Sequence, residues 1–198
     1  MSVDAMNVML TKNGFAGLSN DGISYGANAY YAFGRALLGA DYARASYGEE
    51  ASSADRTDAL RAQQFAFTAS FAVVATPHLS IYPTLGVGLG TFDVSVRNRS
   101  GGTTASSAQP TFEEVAQSPG TESTLSGSHL LYTLGGGADY LVTRGASDHS
   151  GVVFGARAGL AVAPNRTTWS TSGRTVVAGP DASSGGPFLK VFIGFGGH

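Results

Sequence analysis

The residues best suited to acid–base or nucleophilic chemistry are Ser128 and His129, because the chain has no cysteine and only four histidines. Hydrolysis of the serine type needs a hydroxyl, an imidazole and an acidic group in contact. His78 and His149 fall in expected short turns, and His198 is the last residue. Neighbours in a strand point to opposite faces, so Ser128 is not the expected partner of His129. We therefore predict a protein that is not an enzyme, with His129 as an ordinary histidine at a strand end.

Two other patterns could suggest a bound ion or nucleotide. Glu49, Glu50, Asp55 and Asp58 form an acidic cluster, but calcium loops place their carboxylates at tighter spacing punctuated by glycine. The alternating glycines of residues 86–90 have no following helix signal and no Lys-Ser/Thr pair, so they do not predict a phosphate loop. We expect no metal and no cofactor.

The composition limits the class of protein. Charged residues make up 13% of 198 residues and the formal net charge is -2, which gives no basic surface for nucleic acid. No apolar run approaches the roughly 18 residues of a membrane-spanning helix. The first ten residues lack the features of a secretory signal, so an exported protein would be numbered here as its mature form. We predict one domain covering residues 1–198.

The clearest secondary-structure signal is alternation with a period of two. In residues 65–74 the aromatic and other large side chains fall on one face, and small or polar ones on the other. In residues 79–96 the face opposite Leu85, Val87 and Leu89 carries only glycine over several positions. Large groups opposite an almost empty face fit a narrow barrel whose bulky side chains point outward into an apolar solvent.

About eight segments alternate in this way, and short and long connections alternate between them. The segments are residues 6–18, 23–33, 35–47, 65–74, 79–96, 132–142, 152–162 and 188–195, the first being the weakest. If the N-terminus lies on the short-turn side, the long polar loops 48–58, 97–125 and 164–186 share the other side. Sorting loops by side is typical of transmembrane barrels.

On these patterns the chain resembles the small eight-stranded outer-membrane barrels, such as the OmpA transmembrane domain, OmpX and OmpW. The resemblance covers nearly the whole length and implies an all-β fold, a closed antiparallel up-and-down transmembrane barrel. It also implies residence in the bacterial outer membrane and contact with its lipid and lipopolysaccharide.

The barrel pattern assigns faces to the polar residues. Asp41, Asp139, Arg157 and Lys190 fall on the inward face, where buried charges need partners. We predict a polar network in the lumen, with Asp139 and Arg157 on neighbouring strands as the expected pair.

The barrel pattern also assigns outward and loop-side groups. Five tyrosines fall on the outward face, where interfacial aromatic belts lie, at positions 25, 31, 42, 132 and 140. Arg97 and Arg99 follow a strand end, where they could contact lipopolysaccharide phosphates.

Four functions follow from this architecture. The favoured one is a structural anchor whose extracellular loops contact the envelope, the surroundings or a partner protein complex. The alternatives are a small ion or solute channel, a lipid A-modifying enzyme centred on His129, and a soluble lipocalin-like binder. The lipocalin alternative requires the large alternating side chains to point into the barrel.

Overall fold

The computed structural model describes residues 4–13, 15, 23–53, 56–98, 105–119, 122–143, 150–180, 182 and 185–197. The fold is all-β, with two short helices. In chain order the elements are α1 (Asp4–Lys12), β1 (Ile23–Phe33), β2 (Ala36–Ser53), β3 (Arg56–Phe71), β4 (Val74–Ala75), β5 (Leu79–Asn98), α2 (Phe112–Gln117), β6 (Glu122–Thr143), β7 (Ser150–Val162), β8 (Thr168–Thr171), β9 (Arg174–Val176) and β10 (Gly186–Gly197).

One antiparallel sheet contains all the strands. Its main path is β1-β2-β3-β5-β6-β7-β10, while β4 pairs with the start of β5 and the β8–β9 hairpin extends the sheet beside β6. Successive neighbours on the path are antiparallel, as expected for an up-and-down arrangement. The described path therefore has seven long strands.

The expected first strand is wrong, because residues 4–12 form helix α1. Met6, Val8 and Leu10 alternate, but Met6 and Leu10 also share one helical face. Both are buried, whereas Val8 is 68% exposed. A short apolar run satisfies both periods, and packing of Met6 and Leu10 against the rest of the chain selects the helix.

The sheet is curled into a half-barrel that is open between β1 and β10. Because the path holds an odd number of strands, its two edge strands run in the same direction. Residues 26–32 of β1 and 192–196 of β10 line the same cavity of about 630 Å³. No ladder joins these two strands within the described residues. We call this gap the seam.

The two ends of the sheet have different connections. At one end Gly34, in the left-handed region at φ 60°, turns β1 into β2, and residues 76–78 turn β4 into β5. The opposite end, here the long-loop end, carries the connections with α2 and with β8–β9. The predicted loop 48–58 is mostly strand, because β2 continues to Ser53 and β3 begins at Arg56.

An apolar core lies inside the sheet at the long-loop end. It joins α1, α2 and the β8–β9 connection to the ends of the long strands, through Met6, Leu10, Phe15, Leu60, Ala62, Phe92, Val94, Val96, Phe112, Val115, Ala116, Leu125, Trp169, Val176 and Ala182. A capping box at Thr111 and Glu114 begins α2, and Lys12 of α1 binds Glu113 at 2.9 Å. The expectation that the bulky side chains point outward is therefore wrong in this half.

Candidate functional site

Part-way along strand β5 the large apolar side chains change from the outward face to the inward face, while the alternation itself continues. From Leu79 to Leu89 its large apolar residues point outward, and Leu85 and Leu89 are 61% and 57% exposed. Beyond that point Phe92 and Val94 point inward and are 1% and 0% exposed. The outward positions there are occupied by polar residues such as Asp93. The same strand is thus apolar outside in one half and apolar inside in the other.

The outward residues change from apolar to polar at the same register position on four strands. The last outward apolar row consists of Tyr42, Phe65, Leu89 and Leu130, which are register partners in sequence along the sheet. The next outward row consists of Arg44, Gln63, Thr91 and Ser128, paired in the same order. We call this second row the boundary row, the exposed apolar surface below it the apolar band, and the part of the molecule above it the cap.

The size of the apolar band can be read along β5. Leu79 to Leu89 is a stretch of about 11 residues, the length of a tilted strand that crosses a bilayer core. At a rise of about 3.3 Å per residue and a tilt near 45°, it spans about 25 Å along the barrel axis. That is the height of the outward apolar surface in transmembrane barrels.

Aromatic residues are concentrated at the two edges of the apolar band. The predicted outward tyrosines are all exposed, by 60% for Tyr25, 65% for Tyr31, 39% for Tyr42, 47% for Tyr132 and 52% for Tyr140. The group nearest the boundary row is Tyr25, Tyr42, Phe65, Phe67 and Tyr132, and the group nearest the short turns is Tyr31, Phe33, Phe71, Tyr140, Phe154 and Phe195. Between them lie mainly aliphatic side chains such as Leu85 and Leu134.

Inside the sheet, behind the apolar band, lies a cluster of polar side chains. Arg157 Nη1 donates to both carboxylate oxygens of Asp41 at 3.2 Å, and Arg157 Nε donates to the Tyr82 hydroxyl at 3.1 Å. The Tyr82 hydroxyl in turn donates to Asp139 Oδ1 at 2.9 Å. The predicted Asp139–Arg157 pair is therefore replaced by a chain of contacts through Tyr82, and the ion pair of Arg157 is with Asp41.

Arg157 also contacts both edge strands. Its guanidinium carbon lies 5.7 Å from the ring centroid of Tyr30 on β1 and 5.2 Å from that of Phe192 on β10. Lys190, the fourth predicted lumen residue, lies over the Phe188 ring at 5.3 Å. All four predicted charges point inward, and one of them joins the two sides of the seam.

Sequence reasoning missed Tyr82 and Tyr30. The alternation of β5 places Tyr82 inward, so its face was readable, but an uncharged aromatic residue gave no signal of a polar role. A buried tyrosine hydroxyl needs a partner, and that requirement could have linked Tyr82 to the inward charges.

His129 lies inside the molecule rather than on the rim. It is 4% exposed and stacks on Phe92 with ring centroids 5.1 Å apart, whereas Ser128 points outward. Burial lowers the pKa of His129 below its ordinary value. Within the described part of the chain, no group of three histidine, aspartate or glutamate residues could hold a metal ion.

Arg97 is exposed and binds Glu122 at 3.1 Å across β5 and β6. Arg99 lies outside the described residues. Neither described helix is long and apolar enough to cross a membrane.

Comparison of the chain with protein-family models, with curated proteins and with solved structures found no match.

Proposed function

We propose that this chain is an integral protein of the bacterial outer membrane, embedded through the apolar band. The observation that carries the proposal is the common boundary at which the outward residues of four strands change from apolar to polar. A water-soluble sheet gains nothing from exposing Leu85, Leu134 or Phe195, which are 61%, 60% and 92% exposed. Hydrocarbon around the apolar band and water around the cap account for both halves of the pattern.

We propose further that the seam closes in the membrane, so that the half-barrel becomes a barrel. In hydrocarbon an unpaired backbone N–H or C=O costs several kcal/mol, so two facing strand edges gain from pairing. Since β1 and β10 run in the same direction, this closing pair would be parallel. Arg157, between Tyr30 and Phe192, holds the two edges close to each other.

The interior contains cavities of about 320 and 310 Å³ but is blocked at two levels, and this favours an anchor over a wide channel. The apolar core of the cap covers the long-loop end, and the Arg157 cluster fills the middle of the interior. The exposed surface of the cap, formed in part by residues 106–109, is then the place for contacts with the envelope or a partner protein. The buried position of His129 gives a lipid A-modifying activity no support, and the outward position of the apolar side chains in the apolar band speaks against a lipocalin-like binder.

Reconstitution tests the membrane proposal directly. The purified chain, refolded in the presence of phosphatidylcholine vesicles, is expected to float with them and to migrate differently on gels before and after boiling. Protease should remove cap segments and leave the strands of the apolar band protected. A chain that stays monodisperse in detergent-free buffer and does not float with vesicles would overturn the proposal.

Cross-linking tests closure of the seam separately. Ala29→Cys and Ile193→Cys place thiols on the two strands that line the gap. In vesicles, a short bis-thiol reagent is expected to join them. The control pair Ala29→Cys and Leu85→Cys, on strands three places apart in the sheet, should stay unjoined. If the reagent cross-links both pairs equally, closure of the seam is contradicted. The proposal of membrane insertion is not affected by that result.

A further inference from the structure

The outward charged side chains just above the apolar band differ in whether the protein supplies a partner for them. On β5 and β6, Arg97 binds Glu122 at 3.1 Å, and Asp93 accepts a hydrogen bond from Ser126 at 2.7 Å. Arg97 is thus neutralised by a carboxylate of the sheet, whereas Asp93 has a neutral hydrogen-bond donor. Among the side chains of β2 and β3 that the structure describes, the outward charges are Arg44 and Arg61, and both are cations.

Arg44 and Arg61 are diagonal neighbours on the outer surface. Arg44 pairs in register with Gln63, and Arg61 pairs with Ser46, one outward step further from the apolar band. Side chains in this relation lie within reach of a common ligand, since diagonal neighbours are about 7–8 Å apart. The Tyr42–Phe65 pair of the apolar band lies directly beneath them.

Neither arginine has a carboxylate partner among the described side chains, where the ion pairs are Lys12–Glu113, Arg97–Glu122 and Arg157–Asp41. Asp93 is the register partner of Arg61 and accepts a hydrogen bond from the neutral Ser126 hydroxyl, but it forms no ion pair with Arg61. The Nε of Arg44 is buried and makes no hydrogen bond. Because that atom is covered by the protein, a ligand from outside would meet the accessible part of the half-buried Arg44 side chain, and it would meet Arg61 on its exposed side chain.

We propose that Arg44 and Arg61 bind the phosphate groups of a lipid headgroup in the leaflet on the long-loop side. The guanidinium fork matches phosphate oxygens in two-point contacts. A lipid is the occupant rather than free phosphate, because the site lies immediately above Tyr42 and Phe65, along which acyl chains would run. This inference rests on the proposed embedding of the apolar band in a membrane.

Lipid titration with matched variants tests the site. The refolded protein in detergent micelles is titrated with a diphosphorylated lipid A-type glycolipid and with the same lipid after phosphate removal, and bound lipid is counted by native mass spectrometry. The double variant Arg44→Gln/Arg61→Gln is compared with Arg35→Gln, which removes an exposed arginine at the short-turn end. Arg44→Lys/Arg61→Lys keeps both charges and reports on the two-point geometry.

The wild type and Arg35→Gln are expected to prefer the phosphorylated lipid, with no competition from inorganic phosphate at equal concentration. The glutamine double variant should bind it at least about fivefold more weakly per arginine removed, and the lysine variant should fall between. Equal affinity of the glutamine variant, with its heat-modifiable band intact, would overturn the site while membrane embedding stands. If inorganic phosphate competes with the phosphorylated lipid, the site binds anions in general rather than a lipid. That result also overturns the proposed lipid site. If the wild type does not insert at all, both proposals fail.

Discussion

The two halves of the long strands obey opposite rules of burial. In the cap, Leu60, Val94 and Phe112 are fully buried inside, as in a soluble domain. In the apolar band, Leu85 and Leu134 are exposed, while the Arg157 cluster lies in the interior beside buried apolar residues such as Leu131 and Leu141. Each strand passes from one half to the other without a break, so its alternation continues. What changes is which of its two faces carries the apolar side chains. The comparison shows that a period of two identifies a strand but not which face is buried.

Glycine makes the interior of the apolar band possible. At Gly155 an added Cβ would meet the ring of Phe192 and Oδ1 of Asp139. The missing side chain therefore leaves room for the ring that packs on Arg157. In the cap the corresponding interior space is filled by large side chains instead, such as Trp169, whose indole Nε1 donates to the Pro180 carbonyl at 2.9 Å.

The largest expected difference between the halves comes from removing a large apolar side chain. Phe112→Ala empties a fully buried position and should lower the free energy of unfolding by about 3–5 kcal/mol. Leu85→Ala removes a side chain that touches solvent or lipid and should cost far less. Denaturant unfolding of both variants in the same detergent makes the comparison. Equal losses would mean that Leu85 is as enclosed as Phe112, which contradicts the assignment of faces.

The polar cluster should respond to single and double substitution in different ways. Asp41→Ala leaves Arg157 without its carboxylate at a site where the two side chains are only 13% and 9% exposed, and should cost about 3 kcal/mol. The double variant Asp41→Leu/Arg157→Met removes both charges and should be less destabilised than Asp41→Ala. Denaturant titration of the three proteins measures this. A double variant destabilised at least as much as Asp41→Ala would mean that the uncompensated charge of Arg157 is not the source of the loss.

Much of the fold was predictable from the sequence, and the failures have physical causes. The face of each predicted outward tyrosine is confirmed, because the alternation in β1, β2 and β6 is unbroken. Helix α1 was missed because Met6 and Leu10 suit either period. The partner of Arg157 was missed because Asp41 and Arg157 are 116 positions apart in sequence, and only the curl of the sheet brings them together. Local periodicity carries no information on such contacts.

A charge placed on the outer surface tests the boundary row more finely. Leu134→Arg puts a cation in the middle of the apolar band and should reduce stability in lipid by about 2 kcal/mol. Ser95→Arg puts the same group on the outward face of the cap and should change stability little. Both variants are unfolded by denaturant from lipid vesicles. If both arginines are tolerated equally, the apolar band is not surrounded by hydrocarbon.

The smallest expected effect concerns His129, which lies just above the apolar band and is stacked on Phe92. Because burial lowers its pKa in the folded state, the unfolded chain binds a proton more readily below about pH 6.5. The contribution of neutral His129 to stability is therefore present above that pH and is lost as the pH falls. Thermal unfolding at pH 7.5 and 5.5 should show a smaller drop in stability for His129→Leu than for the wild type. If His129→Leu loses as much stability between these pH values as the wild type, the pH sensitivity comes from another group. His129 would then be hydrated, and water would reach the core of the cap.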